Sequence, residues 1–201
     1  TILNPSNSDG NINNGLAVTT IDDSFLNEFV ELEAELSRAR LKFTDNSDVV
    51  YVAAQGPLWS SGGERGLYKT MDGGKSWNKI LGGSEWTGVT DIMMDSRYSN
   101  IIYAATWDRH RTVAAYMGGG PGSGIHKSED GGETWKKLTN GIPKSNLGKI
   151  GIAISYQKPD IIYAAIEEDR TKGGVYRSTD RGESWKKMSN TVSGGTGPHY
   201  Y

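Results

Sequence analysis

The sequence predicts an all-β protein, a partial β-propeller of about three four-stranded blades, with one N-terminal α-helix. Three observations predict this class. One segment recurs three times after residue 48, and each copy contains short apolar runs separated by turn-forming residues. The chain has 27 glycines in 201 residues, about twice the average share. Repeats of roughly 40–50 residues with four strands each are typical of propeller blades.

Composition excludes several functional classes. The net charge of −2 provides no basic field for a nucleic-acid partner. No apolar run approaches the ~20 residues of a membrane-spanning helix, so we expect no membrane span. The absence of cysteine excludes disulfides, thiolate metal sites and thiol nucleophiles. The three histidines, His110, His126 and His199, lie far apart with no carboxylate at ligand spacing, and we expect neither a metal site nor a cofactor.

The N-terminal segment differs from the remainder. Residues 1–21 are rich in Asn, Ser, Thr and Gly, which predicts a flexible leader. Apolar residues then follow at alternating intervals of four and three: Phe25, Phe29, Leu32, Leu36, Ala39 and Phe43. This heptad spacing predicts an amphipathic helix over residues 22–43. It would either pack on the neighbouring domain or serve as a coiled-coil arm between copies. The run 31–47 resembles the periplasmic coiled-coil segment of bacterial polysaccharide co-polymerases.

The repeated units begin at residue 48. Each contains a Tyr-x-Ala or Tyr-Ala-Ala strand, expected as the second strand of a blade, and then a third strand of Gly, an apolar residue, Tyr or His, Lys or Arg, and Ser or Thr. We expect blades at 49–82, 87–139 and 147–189, and the start of a further blade at 191–201. The first unit has no convincing first strand, although 41–43 could supply one.

An eight-residue motif, Ser/Thr-x-Asp-x-Gly-x-Ser/Thr-Trp, follows the third strand of every unit. The aspartate is expected to accept local backbone N–H bonds, the glycine to take a positive φ, and the indole to cover the hairpin. These residues therefore have a predicted structural role, and they are Asp72, Gly74, Trp77, Asp130, Gly132, Trp135, Asp180, Gly182 and Trp185.

The motif resembles the Asp box, or BNR repeat, of sialidases, xyloglucan-type endoglucanases and sortilin-type receptors. Over about residues 48–201 the sequence resembles bacterial propellers of the sortilin-N-terminal, VPS10-like and glycosyl-hydrolase-like type. The resemblance implies a secreted, periplasmic or cell-surface protein, with the Asp boxes on the rim away from the ligand. It also implies that further blades, or other copies of the chain, complete the ring, since propellers usually close with at least four blades.

The loops between the second and third strands are expected on the ligand face. They span residues 55–65, 107–123 and 167–172, and their lengths differ. Aromatic rings and guanidinium groups suit sugar rings or an acidic peptide. The ligand-binding candidates are Trp59, Arg65, Trp107, Arg109, His110, Arg111 and Tyr116. Alternatively, the arginines pair with neighbouring loop acids.

These residues are consistent with two functions, and the N-terminal helix suggests a third. The first is a glycan- or protein-binding module. The second is a glycoside hydrolase, sialidase- or xyloglucanase-like, with catalytic residues partly outside this segment. Such an enzyme needs two carboxylates about 5–9 Å apart, and the catalytic candidates are Asp91 and Asp108, with Glu64 and Glu167 on similar loops. In the third, the heptad helix tethers the propeller to an oligomer.

Overall fold

The computed structural model describes residues 40–44, 46–168 and 172–190. These residues form three four-stranded antiparallel sheets and one small hairpin. No helix within these ranges is long and apolar enough to cross a bilayer. The predicted leader 1–21, the predicted helix up to residue 39, and the segment 191–201 lie outside the described residues.

The strands of each sheet lie side by side in chain order, and we refer to the sheets as blades 1, 2 and 3. Blade 1 contains β1 (Arg40–Phe43), β2 (Val50–Gln55), β3 (Arg65–Thr70) and β4 (Asn78–Leu81). Blade 2 contains β5 (Thr87–Met94), β6 (Ile102–Asp108), β9 (Gly124–Ser128) and β10 (Lys136–Leu138), with the hairpin of β7 (His110–Arg111) and β8 (Tyr116–Met117) inserted after β6. Blade 3 contains β11 (Leu147–Ile154), β12 (Ile162–Glu168), β13 (Lys172–Ser178) and β14 (Lys186–Ser189).

The first strand of blade 1 corrects one sequence prediction. The helix predicted over 22–43 is wrong for its last four residues, because Arg40–Phe43 form β1 and pair with β2, with Phe43 opposite Val50. The heptad spacing extends into this segment, but pairing with β2 satisfies backbone groups that would otherwise form a bare sheet edge. The alternative expected from the sequence, a strand at 41–43, is the one observed.

The middle strand β6 shows why the repeated Tyr-Ala-Ala sequence suits a blade interior. All seven residues of β6 are buried, because successive side chains point to opposite faces of the sheet and both faces are covered. Ile102 and Ala104 pack towards blade 1, whereas Tyr103 and Ala105 pack towards blade 3. The small alanine side chains let adjacent sheets approach closely.

The apolar core therefore lies between the blades. Leu67, Val89 and Ile92 are fully buried between blades 1 and 2. Ile125 and Ile162 are fully buried between blades 2 and 3. Each such side chain contributes about 1.5–3 kcal/mol through burial. Among the described residues these two inter-blade clusters are the largest, so neighbouring blades stabilise one another.

Candidate functional site

The three motif aspartates lie at one end of the sheets, which we call the turn end. In blade 2, Asp130 accepts hydrogen bonds from the backbone N–H and the hydroxyl of Thr134, at 2.9 and 2.5 Å. The Ser128 hydroxyl donates to Asp130 at 2.7 Å and accepts from the Gly132 N–H at 2.8 Å. These bonds hold the pKa of Asp130 well below its usual range, with the Thr134 hydroxyl the largest cause.

The other two turns have the same construction. Asp72 binds Ser76, and Asp180 binds Ser184, through both the backbone and the hydroxyl group. Hydrogen bonding likewise lowers the pKa of both acids. Each carboxylate is thus occupied within its own turn, as expected for residues that fix a hairpin.

Glycine and tryptophan complete each turn. Gly74, Gly132 and Gly182 have φ values of 94°, 92° and 86°, a region that residues with a Cβ rarely occupy. The indoles of Trp135 and Trp185 cover their hairpins by donating to the carbonyls of Gly132 and Gly182 at 3.1 and 3.0 Å. Trp77 differs in detail, because it packs with Tyr68 against Val52 and Ala54.

The variable loops lie at the opposite end of the sheets, which we call the loop end: residues 55–65, 82–86 and 108–123. Backbone hydrogen bonds join these loops into one surface. The Arg111 N–H donates to the Leu58 carbonyl at 2.9 Å, and the Arg109 N–H donates to the Trp86 carbonyl at 3.1 Å. The Gly120 N–H reaches blade 3 by donating to the Leu147 carbonyl at 3.2 Å. The long middle loop therefore spans from blade 1 to blade 3.

Arg65 occupies the centre of the loop end, but it is not a surface residue. Its side chain is only 1% exposed, which contradicts its prediction as a ligand contact. Its guanidinium donates to six backbone carbonyls, at 2.8–3.5 Å except for a shorter contact to Pro57: Gln55, Pro57, Ser60, Gly62, Trp86 and Arg109. Burial lowers the pKa of Arg65, and the charge of Arg109 lowers it further.

Arg65 therefore holds the loops rather than a ligand. Its acceptors come from the first loop, from the connection into blade 2, and from the start of the middle loop. Among the described residues, no carboxylate accepts a hydrogen bond from Arg65. These neutral carbonyls do not cancel its positive charge, which adds to those of Arg109 and Arg111 at the same end.

Trp107 was also predicted to offer an accessible surface for stacking on a ligand, but its side chain is buried. It is 6% exposed, and its indole N–H donates to the Gly118 carbonyl at 2.9 Å. Two cations lie near the ring, with the Arg109 guanidinium carbon 5.1 Å and the Lys149 Nζ 5.9 Å from its centroid. Arg109 also donates to the Gln55 side-chain oxygen at 2.9 Å. Burial occurs because Trp107 points towards blade 3, on the same side of β6 as Tyr103.

The accessible aromatic surface is formed by other residues. Trp59 is 59% exposed, and the guanidinium carbon of Arg111 lies 5.3 Å from its ring centroid. The rings of Trp86 and His110 pack with centroids 4.1 Å apart at 50°. Tyr116 lies half-buried on β8, opposite Arg111 in the hairpin. Of the predicted ligand-binding residues, Trp59, His110, Arg111 and Tyr116 thus remain on this surface together with Arg109.

Trp86 was missed by the sequence predictions because it lies in the short connection between blades 1 and 2. A usable signal existed in the six tryptophans. Three belong to the repeated turn motif, and the three that do not are Trp59, Trp86 and Trp107. All three lie at the loop end.

Asp108, a predicted catalytic candidate, braces the middle loop. It is 4% exposed, and its carboxylate accepts from the Thr87 hydroxyl at 2.6 Å and from the Gly122 N–H at 2.7 Å. A Cβ at Gly120 or Gly122 would clash with the Asp108 carboxylate. The glycine run thus lets the loop fold over this acid.

Asp91, the other catalytic candidate, joins two blades. It is 5% exposed and accepts from the Ile152 N–H of blade 3 at 2.9 Å and from the Ile92 N–H at 3.0 Å. Asp91 pairs with Ala105, which lies three residues before Asp108 on β6. Side chains alternate along a strand, so the two carboxylates point to opposite faces, about 10 Å apart along the strand.

The remaining predicted acids are also engaged with neighbours. Glu64 accepts from the Tyr68 hydroxyl at 2.7 Å, and Glu167 accepts from the Lys149 N–H at 3.2 Å. Asp91 and Asp108 cannot act on a substrate from the same side of the sheet, and each of the four acids has a partner within the fold. In the part of the chain that the structure describes, no three His, Asp or Glu side chains cluster as metal ligands.

The fold and the two distinct ends define the class of protein, a segment of a β-propeller built from repeated four-stranded blades. The family model described as Sortilin-Vps10 (sortilin, neurotensin receptor 3) matches residues 65–196, more than half of the chain. The chain belongs to the Sortilin-Vps10 family. The comparison with curated proteins returned no match.

Solved structures share the fold. An ancestral GH74 enzyme is 19% identical, with a TM-score of 0.56 over 77% of this chain and 19% of that one. A GH74 xyloglucanase from Xanthomonas campestris is 20% identical, with a TM-score of 0.53 over 71% and 19%. A GH74 enzyme from Niastella koreensis is 17% identical, with a TM-score of 0.50 over 70% and 20%. The chain spans about one fifth of the length of these enzymes. At these identities the similarity concerns the fold.

Proposed function

We propose that this chain is part of a secreted, periplasmic or cell-surface β-propeller whose loop end binds a glycan or a protein ligand. One observation carries the proposal. Hydrogen bonds between loops of different blades bring Trp59, Arg111 and the Trp86–His110 pair to the same end of the sheets. Function in repeat folds commonly resides in such variable loops on a rigid scaffold.

The chemistry of this surface favours an acidic ligand. An exposed indole face suits the apolar face of a sugar ring or an aromatic side chain. Guanidinium groups donate paired hydrogen bonds that match a carboxylate. The positive charge of Arg65 lies beneath them, bound to neutral carbonyls, which raises the attraction for an anionic group. An acidic sugar or an acidic peptide has both features.

A glycoside hydrolase is the second candidate, because the structures that share the fold include GH74 enzymes. In this candidate the catalytic acids lie partly outside the segment, since Asp91 and Asp108 point to opposite faces of blade 2. Fold similarity supports a shared scaffold and leaves the chemistry to individual residues.

A glycan array, an immobilised panel of acidic peptides and a panel of chromogenic glycosides test the proposal on the full chain. Binding without turnover supports a binding module. Turnover that the Asp108→Asn variant loses while it remains folded would favour the enzyme instead. Failure to bind any array member or peptide, together with no turnover, would contradict both candidates for this segment.

A further inference from the structure

A histidine lies within the cationic surface at the loop end. The His110 ring packs on Trp86 with centroids 4.1 Å apart. It is half-buried on β7, and in the sequence it lies directly between Arg109 and Arg111. Histidine ordinarily changes its charge between about pH 5 and 8, whereas a guanidinium group stays charged throughout this range. The loop end therefore combines fixed positive charges with a titratable ring.

The backbone that carries the His110–Trp86 contact is held on both sides. The Arg65 guanidinium donates to the Trp86 carbonyl at 3.5 Å and to the Arg109 carbonyl at 3.4 Å. The Arg109 N–H also donates to the Trp86 carbonyl, at 3.1 Å. After His110, the Arg111 N–H donates to a carbonyl of the first loop at 2.9 Å. The imidazole is thus fixed in position next to the guanidinium groups that would bind an anion.

The charged and titratable groups around His110 come from its own segment, from β8, from the connection between blades 1 and 2, and from the first loop. They are Asp108, Arg109, Arg111, Tyr116, Glu85, Glu64 and Arg65.

The acids in this set do not neutralise His110. Asp108 and Glu64 accept hydrogen bonds from other groups of the fold, and Glu85 is exposed. Among the described residues, no carboxylate forms a hydrogen bond or an ion pair with the His110 ring. A proton on this ring is therefore opposed by the nearby guanidinium charges, without a carboxylate of the described chain to hold it.

An acidic ligand supplies the counter-charge that His110 lacks. A carboxylate bound beside Arg111 favours the charged form of a neighbouring imidazole. Protonation also converts the acceptor nitrogen of the ring into a second N–H donor. The contact with Trp86 is kept, because an imidazolium on an indole gains a cation–π interaction. We propose that binding of an acidic ligand at the loop end is coupled to uptake of one proton by His110, so that affinity increases as the pH falls. This inference rests on the proposed function and describes its regulation.

The direction of the pH dependence follows from reciprocity. A ligand that favours the protonated ring must itself bind more tightly to the protonated protein. The gain therefore develops between about pH 8 and 5.5, where an imidazole ordinarily takes up its proton. Carboxylates of a ligand lose their charge at about pH 4, and that loss weakens binding, so it acts in the opposite direction. Burial, and secondarily Lys137, holds the pKa of His126 at about 4, below this window.

Two probes present the same carboxylate chemistry from different sources, a hexaglutamate peptide and a hexagalacturonate oligosaccharide. Isothermal titration calorimetry on the full chain gives the Kd of each probe at about pH 8 and about pH 5.5. We expect the Kd of a probe that binds to be about tenfold lower at the lower pH.

Three variants assign this change to one ring. His110→Phe keeps an aromatic ring on Trp86 without a charge, and His110→Lys carries a charge at both pH values, so both should abolish the pH dependence. His199→Gln removes a histidine that lies outside the described residues, and it should retain the tenfold change.

A proton NMR titration observes the ring itself. The His110 Cε1–H resonance is assigned by its absence from the His110→Phe spectrum, and a saturating probe should raise its titration midpoint by about one pH unit. A probe that binds with the same Kd at both pH values would overturn the coupling and leave the proposed function intact. A midpoint that the probe does not move, or a pH dependence that both His110 variants retain, would also overturn it. Failure of both probes to bind at either pH would contradict the acidic ligand of the proposed function and the coupling together.

Discussion

Replacing Tyr103 by Phe removes the hydroxyl that joins blade 2 to the turn of blade 3, while the ring remains to fill the same space. The lost bond, from the Tyr103 hydroxyl to the Arg181 carbonyl, is 3.0 Å long, and the Tyr103 side chain is 0% exposed. A neutral hydrogen bond contributes about 1 kcal/mol net, and a carbonyl left without its donor adds to the loss. We therefore expect the Tyr103→Phe variant to lose about 1–2 kcal/mol of unfolding free energy. In a chain of this size, 1 kcal/mol corresponds to a Tm decrease of about 2–4 °C.

The matched control is Tyr163→Phe, the same substitution at the equivalent residue of blade 3. The Tyr163 ring is 41% exposed, so its hydroxyl can bind water in the folded and unfolded states alike. A change within about 0.5 kcal/mol is typical of such a surface substitution. Urea unfolding followed by tryptophan fluorescence measures both variants, with equal m-values as the check that only stability has changed. Equal losses at Tyr103 and Tyr163 would refute the assignment of an inter-blade bond.

Three further predictions concern polar groups that are buried or, for His126, half-buried. Arg65→Lys should lower the unfolding free energy by about 3 kcal/mol in urea titrations, because an ammonium group cannot reach the six carbonyls that the guanidinium binds. Asp108→Asn should cost about 1–3 kcal/mol, since the Thr87 hydroxyl and the Gly122 N–H donate to different carboxylate oxygens, and an amide replaces one of these oxygens by an NH₂ donor; differential scanning calorimetry measures this loss. Burial, and secondarily Lys137, lowers the pKa of His126 to about 4. The unfolded chain, with a His pKa of about 6.5, then binds the proton more readily, so stability should fall as pH decreases from 6.5 to 4.

The His126 prediction is measured as a difference between two proteins, because other acids titrate in the same range. The His126→Tyr variant carries the residue that Tyr68 and Tyr176 provide in the other blades. Between pH 7 and pH 4 the original protein should lose about 2 kcal/mol more than this variant, after discounting for partial exposure. Parallel stability curves would contradict the prediction.

For Arg65, a substitution that leaves stability unchanged would show that the loops do not depend on its carbonyl contacts.

The sequence predicted the repeated architecture because the fold is encoded locally. Alternating apolar residues and the Asp-x-Gly turn specify strands and hairpins from contacts within a few residues of each other. The tyrosines and alanines of the second strands also indicated an interior strand, because small side chains there suit closely packed sheets. Within the described residues, the prediction of a helix through 40–43 is wrong because pairing with β2 is a non-local interaction that heptad spacing cannot reveal.

The loop end was less predictable, because residue type indicates its chemistry but not its exposure. Arg65 and Trp107 have the composition of ligand contacts, and both are buried by loops that fold over them. Asp91 is a carboxylate on a suitable strand, but one of its hydrogen-bond donors is a backbone N–H 61 residues later in the chain. Such contacts depend on how one blade packs against the next. The sequence signal that marks Trp86 is its place among the tryptophans outside the turn motif.

The binding role of the loop end is tested most directly by comparing two exposed aromatic residues at opposite ends of the blades. Trp59 lies under Arg111, and Tyr98 lies under Arg97 at the turn end with a cation-to-ring distance of 5.6 Å, against 5.3 Å for Trp59. The measurement is the Kd of a ligand identified in the array or peptide panel, by isothermal titration calorimetry. Trp59→Ala should raise the Kd at least tenfold, about 1.4 kcal/mol, and Tyr98→Ala should leave it unchanged. A Kd that responds to Tyr98→Ala and not to Trp59→Ala would place the ligand at the turn end and contradict the proposed function.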